Sequence, residues 1–236
     1  MSNTLLNLLF PPQCLNCDAL VPTHGTLCME CWNQIQFITD PLCSCCGLPF
    51  EYKMGEDVLC GECMRERPAY SRGRAAFKYD EHSRQLILRL KYQDQAWLAP
   101  IYGKWLMGAG KELVAASDVI IPVPLHYWRF VGRRYNQSAL LASALAKTSN
   151  LPILSDALRR TRRTTPQTGL TRKQRADNVR GAFTINSRYA DSLKGKSVLL
   201  IDDVMTTGST INVCTKTLLK AGAQQVNILT LARTVG

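Results

Sequence analysis

The sequence predicts an α/β protein, a mostly parallel sheet flanked by helices and preceded by a small cysteine-rich module. Three observations carry that prediction. Four apolar residues, Val198, Leu199, Leu200 and Ile201, lead without a break into Asp202, Asp203 and the small-residue loop Thr206-Thr207-Gly208-Ser209-Thr210. A second apolar run, Val119, Ile120 and Ile121, stops at Pro122. Eight of the ten cysteines form CxxC pairs ahead of residue 64. Uninterrupted apolar runs of this length suit strands covered on both faces.

At the front, Cys14 and Cys17 are followed by Cys28 and Cys31, and then Cys43 and Cys46 by Cys60 and Cys63. A CxxC turn places two thiolates on one tetrahedral ion, so the spacing predicts two structural zinc sites, each closed by four sulfurs. A thioredoxin-like redox role would need one such motif rather than four. Disulfides are disfavoured in a reducing compartment. The spacing permits sequential ribbons, the simpler pairing, and also a cross-braced pairing, with Cys14, Cys17, Cys43 and Cys46 as one set against Cys28, Cys31, Cys60 and Cys63 as the other. Cys45 and Cys214 are surplus to either scheme. Few large aliphatics lie between Cys14 and Cys63, so this module, expected at residues 1–68, depends on its metal to fold.

Residues 69–236 are expected to form the α/β domain. Residues 73–79 read as a strand, 83–91 as a helix with Leu86, Ile87 and Leu90 inward, and 97–114 as a second helix. The run at 118–125 is a short buried strand ended by prolines, which cannot donate to a ladder. A basic loop follows, with Arg129, Arg133, Arg134, Asn136 and Gln137 ahead of a helix at 138–148. The formal charge of +11 is concentrated here: residues 126–180 hold twelve basic and two acidic side chains. Such a field attracts a pyrophosphate-bearing substrate or a nucleic-acid backbone. Residues 159–180 are the most basic stretch and show no apolar periodicity. They read as a lid over bound substrate or, as the rival, a strip for single-stranded nucleic acid; few aromatics interleave with the arginines, which favours the lid.

Asp202 and Asp203 lie at the carboxyl end of their strand, where open α/β sheets bind ligands, and carboxylates suit sugar hydroxyls. Thr206, Thr207, Gly208, Ser209 and Thr210 then open a helix carried by Ile211, Val213, Cys214, Leu218 and Leu219. Backbone amides and hydroxyls at a helix N-terminus can wrap a phosphate, and Gly208 permits close approach. A Walker-type loop is excluded because its GKS or GKT ending is missing. The pattern therefore predicts a sugar-phosphate site.

The acidic pair with TTGST matches the phosphoribosyl-pyrophosphate signature of type I phosphoribosyltransferases. Together with the paired cysteine knuckles, IPVPL, RRYNQ at 133–137, and Thr164, Gln167, Leu170, Arg175 and Asn178 ahead of Ala182-Phe183, it resembles the ComF (GntX-like) family of competence-associated proteins. That resemblance implies a double zinc ribbon joined to a type I phosphoribosyltransferase-like domain similar in fold to orotate and amidophosphoribosyl transferases. It implies that Asp202 and Asp203 hold ribose hydroxyls and the loop holds the 5-phosphate. Arg129 and Arg133 become candidate pyrophosphate ligands, with Mg²⁺, and Arg175 a candidate lid contact. Transfer of phosphoribose to a nitrogen acceptor is the expected activity; a non-catalytic, nucleotide-sensitive adaptor for single-stranded DNA is the alternative. Competence or recombination proteins are the expected partners. Arg134 departs from the glycine common in that motif.

No apolar run approaches the roughly 20 residues needed to span a bilayer. The start of the chain lacks the basic region and cleavage site of a secretory signal. A cytoplasmic protein is expected.

Overall fold

The structure, a computed structural model, describes residues 10–53, 55–92, 98–125, 135–162 and 181–235. Arg129, Arg133, Arg134 and Arg175 lie outside the described residues.

Its centre is a four-stranded sheet in the order β1-β6-β5-β2, with β1 Gly73–Lys78, β2 Val119–Pro122, β5 Ser197–Met205 and β6 Gln225–Arg233. All three pairings are parallel. Side chains alternate along β5: Val198 and Leu200 enter one core cluster, Leu199 and Ile201 the other. Both faces are covered, which is why this strand reads as a continuous apolar run.

On one face lie the helices α4 (Ala99–Ala115) and α5 (Gln137–Ser149), whose Tyr102, Leu106, Leu141 and Leu145 are fully buried against Ile120, Leu199 and Leu229. The helix α3 (Arg84–Tyr92) adds Leu86, Ile87 and Leu90 to the same cluster, all fully buried as the sequence periodicity predicts. On the other face α7 (Ser209–Lys220) buries Ile211, Cys214 and Leu218. Beside it sits an antiparallel pair, β3 (Leu158–Arg160) with β4 (Phe183–Ile185). A short helix α6 (Ala190–Leu193) leads into β5.

Two elements differ from the sequence expectation. The strand β6 was not foreseen, because Asn227 and Thr230 break its apolar run; both are buried within it, at 3 % and 0 % exposure. The expected lid at 159–180 begins instead as sheet: Arg159 and Arg160 belong to β3. Arg159 pairs with Asp156 at 2.5 Å, and the Arg160 guanidinium lies over the Phe183 ring at 5.3 Å. Residues 163–180 lie outside the described residues.

The cysteine-rich segment forms two ribbons, each with one short helix: α1 (Met29–Gln34) and α2 (Gly61–Arg65). Neither stands alone. Leu15 and Ile35 join the helical-face core, while Cys43, Cys45, Cys46, Cys60 and Cys63 join the core on the α7 face. The buried apolar residues of the segment are thus packed against the sheet rather than into a core of their own, while Phe10, Leu20, Met29, Trp32, Tyr52 and Met64 stay exposed.

Among the described residues no helix is long and apolar enough to cross a membrane.

Candidate functional site

The ladder explains why the two aspartates are held rigidly. The strand β5 does not stop at Ile201: it stays paired with β6 through Asp202↔Thr230 and Val204↔Ala232 to Met205↔Arg233. On its other side β2 ends at Pro122, whose pairing partner is Ile201, and Val123 makes a last contact through its N–H to the Ile201 carbonyl at 2.9 Å. Beyond that point one neighbour is gone, and Asp202 and Asp203 sit where the strands part. Such a parting is the ordinary ligand crevice of an open parallel sheet.

Each carboxylate has its own partners. Asp202 Oδ1 accepts from the Ser138 hydroxyl and from the Asp203 N–H, both at 2.9 Å. Asp203 Oδ1 accepts from the Val204 N–H at 2.7 Å, and its Oδ2 pairs with the Lys91 ammonium at 2.9 Å. Burial, and then the neighbouring Asp203 charge, push the Asp202 carboxyl up to about 7, against the opposing pull of Ser138, the Asp203 amide and Lys91. Asp202 therefore passes from protonated to ionised near neutral pH.

Asn136 and Gln137, read as part of a donor loop, have structural duties. Asn136 caps α5 by accepting from the Ser138 N–H at 3.1 Å and donates to the Val123 carbonyl at 3.1 Å. Gln137 is 2 % exposed and donates to the Lys91 carbonyl at 3.4 Å. Between them they fix both the serine that holds Asp202 and the helix end that carries Lys91.

The loop after β5 turns at Gly208 into α7. Gly208 has φ +70° and caps α7, a left-handed conformation that costs a side-chain-bearing residue about 1–2 kcal/mol. A Cβ there would meet nothing within 4 Å, so conformation alone explains the glycine. The N-cap position of α7 is a glycine, which has no side chain to offer the first N–H groups, and a helix N-terminus suits an anion. The Thr207 and Ser209 hydroxyls are 2.9 Å apart and can converge on one phosphate. Thr206 to Ser209 also border a cavity of about 920 Å³, shared with Lys216 and Lys220 of α7 and with Glu62 and Cys63 of the second ribbon. The aspartates do not line that cavity.

The metal-ligating cysteines resolve into two sequential sets, Cys14, Cys17, Cys28, Cys31 and Cys43, Cys46, Cys60, Cys63, with the sulfurs of each set within 4.8 Å of one another. The cross-braced alternative is thereby excluded. No disulfide is formed. Backbone amides point at the first sulfur of each set: Cys28 N–H at 3.2 Å from Cys14 Sγ and Cys60 N–H at 3.2 Å from Cys43 Sγ. Burial raises the Cys14 thiol, but the amides of Cys17, Cys28 and Asn16 outweigh it and bring it down to about 6. Cys43 likewise falls to about 7, with the amides of Cys46, Cys60 and Cys45 overcoming burial. Four sulfurs at these separations in each set fit a tetrahedral Zn²⁺. Cys45 and Cys214 belong to neither set.

Fold and site together define a protein with a double zinc ribbon ahead of a phosphoribosyltransferase-type domain. Family models agree: residues 5–64 match the double zinc ribbon domain and residues 136–234 the phosphoribosyl transferase domain. The chain belongs to the ComF family of competence proteins. It is 32% identical over 227 residues to competence protein F of Haemophilus influenzae, covering 94% of this chain and 96% of that protein. It is 31% identical over 238 residues to the DNA utilization protein YhgH of Escherichia coli K12, covering 97% and 100%. With competence protein ComFC of Bacillus subtilis the identity is 23% over 240 residues, covering 93% and 94%.

Two site residues escaped the sequence reading. Lys91 ends an amphipathic helix and Ser138 begins another, and nothing local distinguishes either from a solvated lysine or a helix-start serine. Only the tertiary fold brings Ser138 to a carboxylate 64 residues away.

Proposed function

We propose that this chain binds phosphoribosyl pyrophosphate and transfers its phosphoribosyl group to a nitrogen acceptor, in a pathway that serves the uptake or use of DNA. The observation that carries the reading is the juxtaposition at the end of β5: two carboxylates held in a sheet crevice, followed within one loop by a helix N-terminus with glycine at its cap. A pentose 5-phosphate presents hydroxyls and a phosphate in matching order.

In the proposed reaction Asp202 and Asp203 accept the ribose hydroxyls and fix the ring. The loop from Thr206 to Thr210 holds the 5-phosphate. The acceptor nitrogen forms a bond to the anomeric carbon as the bond to the pyrophosphate oxygen breaks; the electron pair leaves with pyrophosphate, and the proton of the nitrogen passes to solvent. Charge separates in that transition state, so oriented carboxylates and fixed cations contribute chiefly by electrostatics and positioning. Arg129 and Arg133 are assigned to the pyrophosphate and Arg175 to closure. Mg²⁺, entering with the pyrophosphate, would neutralise part of its charge. Both ribbons hold structural Zn²⁺, and the chain divides at about residue 68. A reducing compartment, the cytoplasm, suits ten unbridged thiols.

The test is pyrophosphate release from phosphoribosyl pyrophosphate in the presence of a panel of bases and nucleotides. Activity is expected with at least one acceptor and is lost in an Asp202→Asn, Asp203→Asn double variant. A double variant as active as wild type sinks the assignment.

A second reading, an adaptor for single-stranded DNA and competence or recombination proteins, is favoured by the twelve basic and two acidic groups of residues 126–180 and by the names of the relatives. Arg159 and Arg160 are already engaged by Asp156 and Phe183, so the informative substitutions are at Arg172, Lys173 and Arg175. If this reading holds, gel-shift affinity falls steeply with salt and further on neutralising those three. Undetectable binding at low salt refutes it.

A further inference from the structure

The end of α3 places a cation against the acidic pair, and three neighbouring parts of the molecule hold that helix. From the first ribbon, the Asp18 carboxylate accepts from the Arg89 guanidinium at 2.5 Å, and Arg89 is only 5 % exposed. The Asn16 side-chain amide donates to the His82 carbonyl at 2.9 Å, just ahead of the helix. From α4, the Tyr102 hydroxyl donates to the Leu86 carbonyl at 3.1 Å. From α5, Gln137 holds the carbonyl of Lys91 itself. A cation in the last turn of a helix lies at the favourable end of the helix dipole. A long, flexible cation gives up rotamer freedom to be held in one place, and this one is directed at Asp203 with its side chain 22 % exposed.

We propose that Lys91 is a positioning residue of the phosphoribosyl site: its ammonium holds Asp203 in the orientation that accepts sugar hydroxyls and offsets the negative charge that Asp202 meets there. The inference rests on the reading of these aspartates as ribose ligands. Two adjacent carboxylates repel, and a cation in contact with one lowers the cost of ionising the other. The groups facing Asp202 among the described residues are consistent with this. Asp203 and the buried Cys214 thiol of α7 disfavour or suffer from its charge, whereas Ser138 and Lys91 favour it. Removing Lys91 therefore makes the pair harder to ionise. Affinity for a ligand that needs both carboxylates ionised falls, and it falls most at the acidic end of the working range.

The test uses the full-length, zinc-loaded protein with Lys91→Gln and Lys91→Arg substitutions. Calorimetry with phosphoribosyl pyrophosphate and Mg²⁺ at pH 6, 7 and 8 should show the glutamine variant weakened by about tenfold at pH 7, the effect of one lost charge-assisted contact. The loss should be larger at pH 6 and smaller at pH 8, and the arginine variant should recover most of the affinity. A glutamine variant with wild-type affinity and pH dependence overturns the proposal. Carbon-13 titration of the aspartate carboxyls in the ligand-free protein gives a second, ligand-independent readout. The Asp202 midpoint should move upward in Lys91→Gln and return in Lys91→Arg; an unmoved midpoint overturns the proposal even if affinity has changed through loosened packing. If wild type itself binds no phosphoribosyl pyrophosphate, the proposed function fails, while the carboxyl titration still decides whether Lys91 sets the charge of the pair.

Discussion

In the first ribbon Cys17 is exposed and Cys28 half-buried, whereas in the second all four ligands are buried. The first meets the rest of the chain through Asp18 to Arg89 and Asn16 to His82, and just beyond it the backbone pairs with β1, Ile38 N–H to the Ala76 carbonyl and Lys78 N–H to the Gln36 carbonyl, both at 2.9 Å. The second has its ligands themselves inside the core: the Gly73 N–H donates to the Cys45 carbonyl at 2.6 Å, the Arg233 guanidinium donates to the Cys46 carbonyl, and the Ala69 N–H just beyond the ribbon donates to Asn212 in the first turn of α7 at 2.8 Å. One ligand chemistry thus serves two ends. The first ribbon forms a clamp on α3, and the second forms part of the main core beside the loop from Thr206 to Thr210. Where a zinc site shares a core with the sheet, metal binding and sheet folding become one equilibrium.

Removing one ligand from each ribbon is the strongest way to break this contrast. Cys60→Ser should abolish cooperative folding of the whole chain, seen as loss of the thermal transition or as insoluble protein, because it strips a metal from within the α7-face core. A soluble Cys60→Ser protein with a wild-type transition would refute the shared core.

Gly25 and Gly47 sharpen the comparison, since both have left-handed backbone, at φ +82° and +69°. A Cβ at Gly47 would drive into the backbone carbonyl of Gly73, but at Gly25 it would meet only the end of the Ile101 side chain. Gly47→Ala should cost about 2 kcal/mol or more, lowering the unfolding midpoint by about 4 °C or more. Gly25→Ala should cost measurably less; equal losses would show that the two ribbons are held alike.

Cys17→Ser, at the exposed ligand, should lower bound zinc from two ions to one by elemental analysis while the main unfolding transition persists. Coupled loss of both metals would contradict independent sites. The smallest effect is expected from Asp18→Asn, which keeps a hydrogen bond to Arg89 but loses its charge, at about 1 kcal/mol. Added salt should reduce the difference between this variant and wild type.

Those contrasts also mark what could be read without coordinates. The zinc ligands were legible because thiol spacing is a local property, and the sequential pairing needed the structure because both pairings share that spacing. The strand and the turn into α7 were legible because a doubly covered strand is apolar throughout and Gly208 marks the turn. The extension of β5 past Asp202 was not, since it depends on β6 running alongside. The strand β6 itself was hidden by Asn227 and Thr230, polar residues buried inside a sheet. The hairpin of β3 and β4 was hidden by its brevity and by two arginines that read as solvated charge. Lys91 carried no local signal, because its partner is supplied by folding.

The most direct measurement of the central claim is isothermal calorimetry of phosphoribosyl pyrophosphate with Mg²⁺ into the zinc-loaded chain, beside the Asp202→Asn, Asp203→Asn variant. Saturable binding at one site per chain, tightening from pH 6 to pH 8 as Asp202 ionises around 7 and abolished in the variant, is the expected result. Absence of binding in the wild type, or undiminished binding in the variant, would contradict the account.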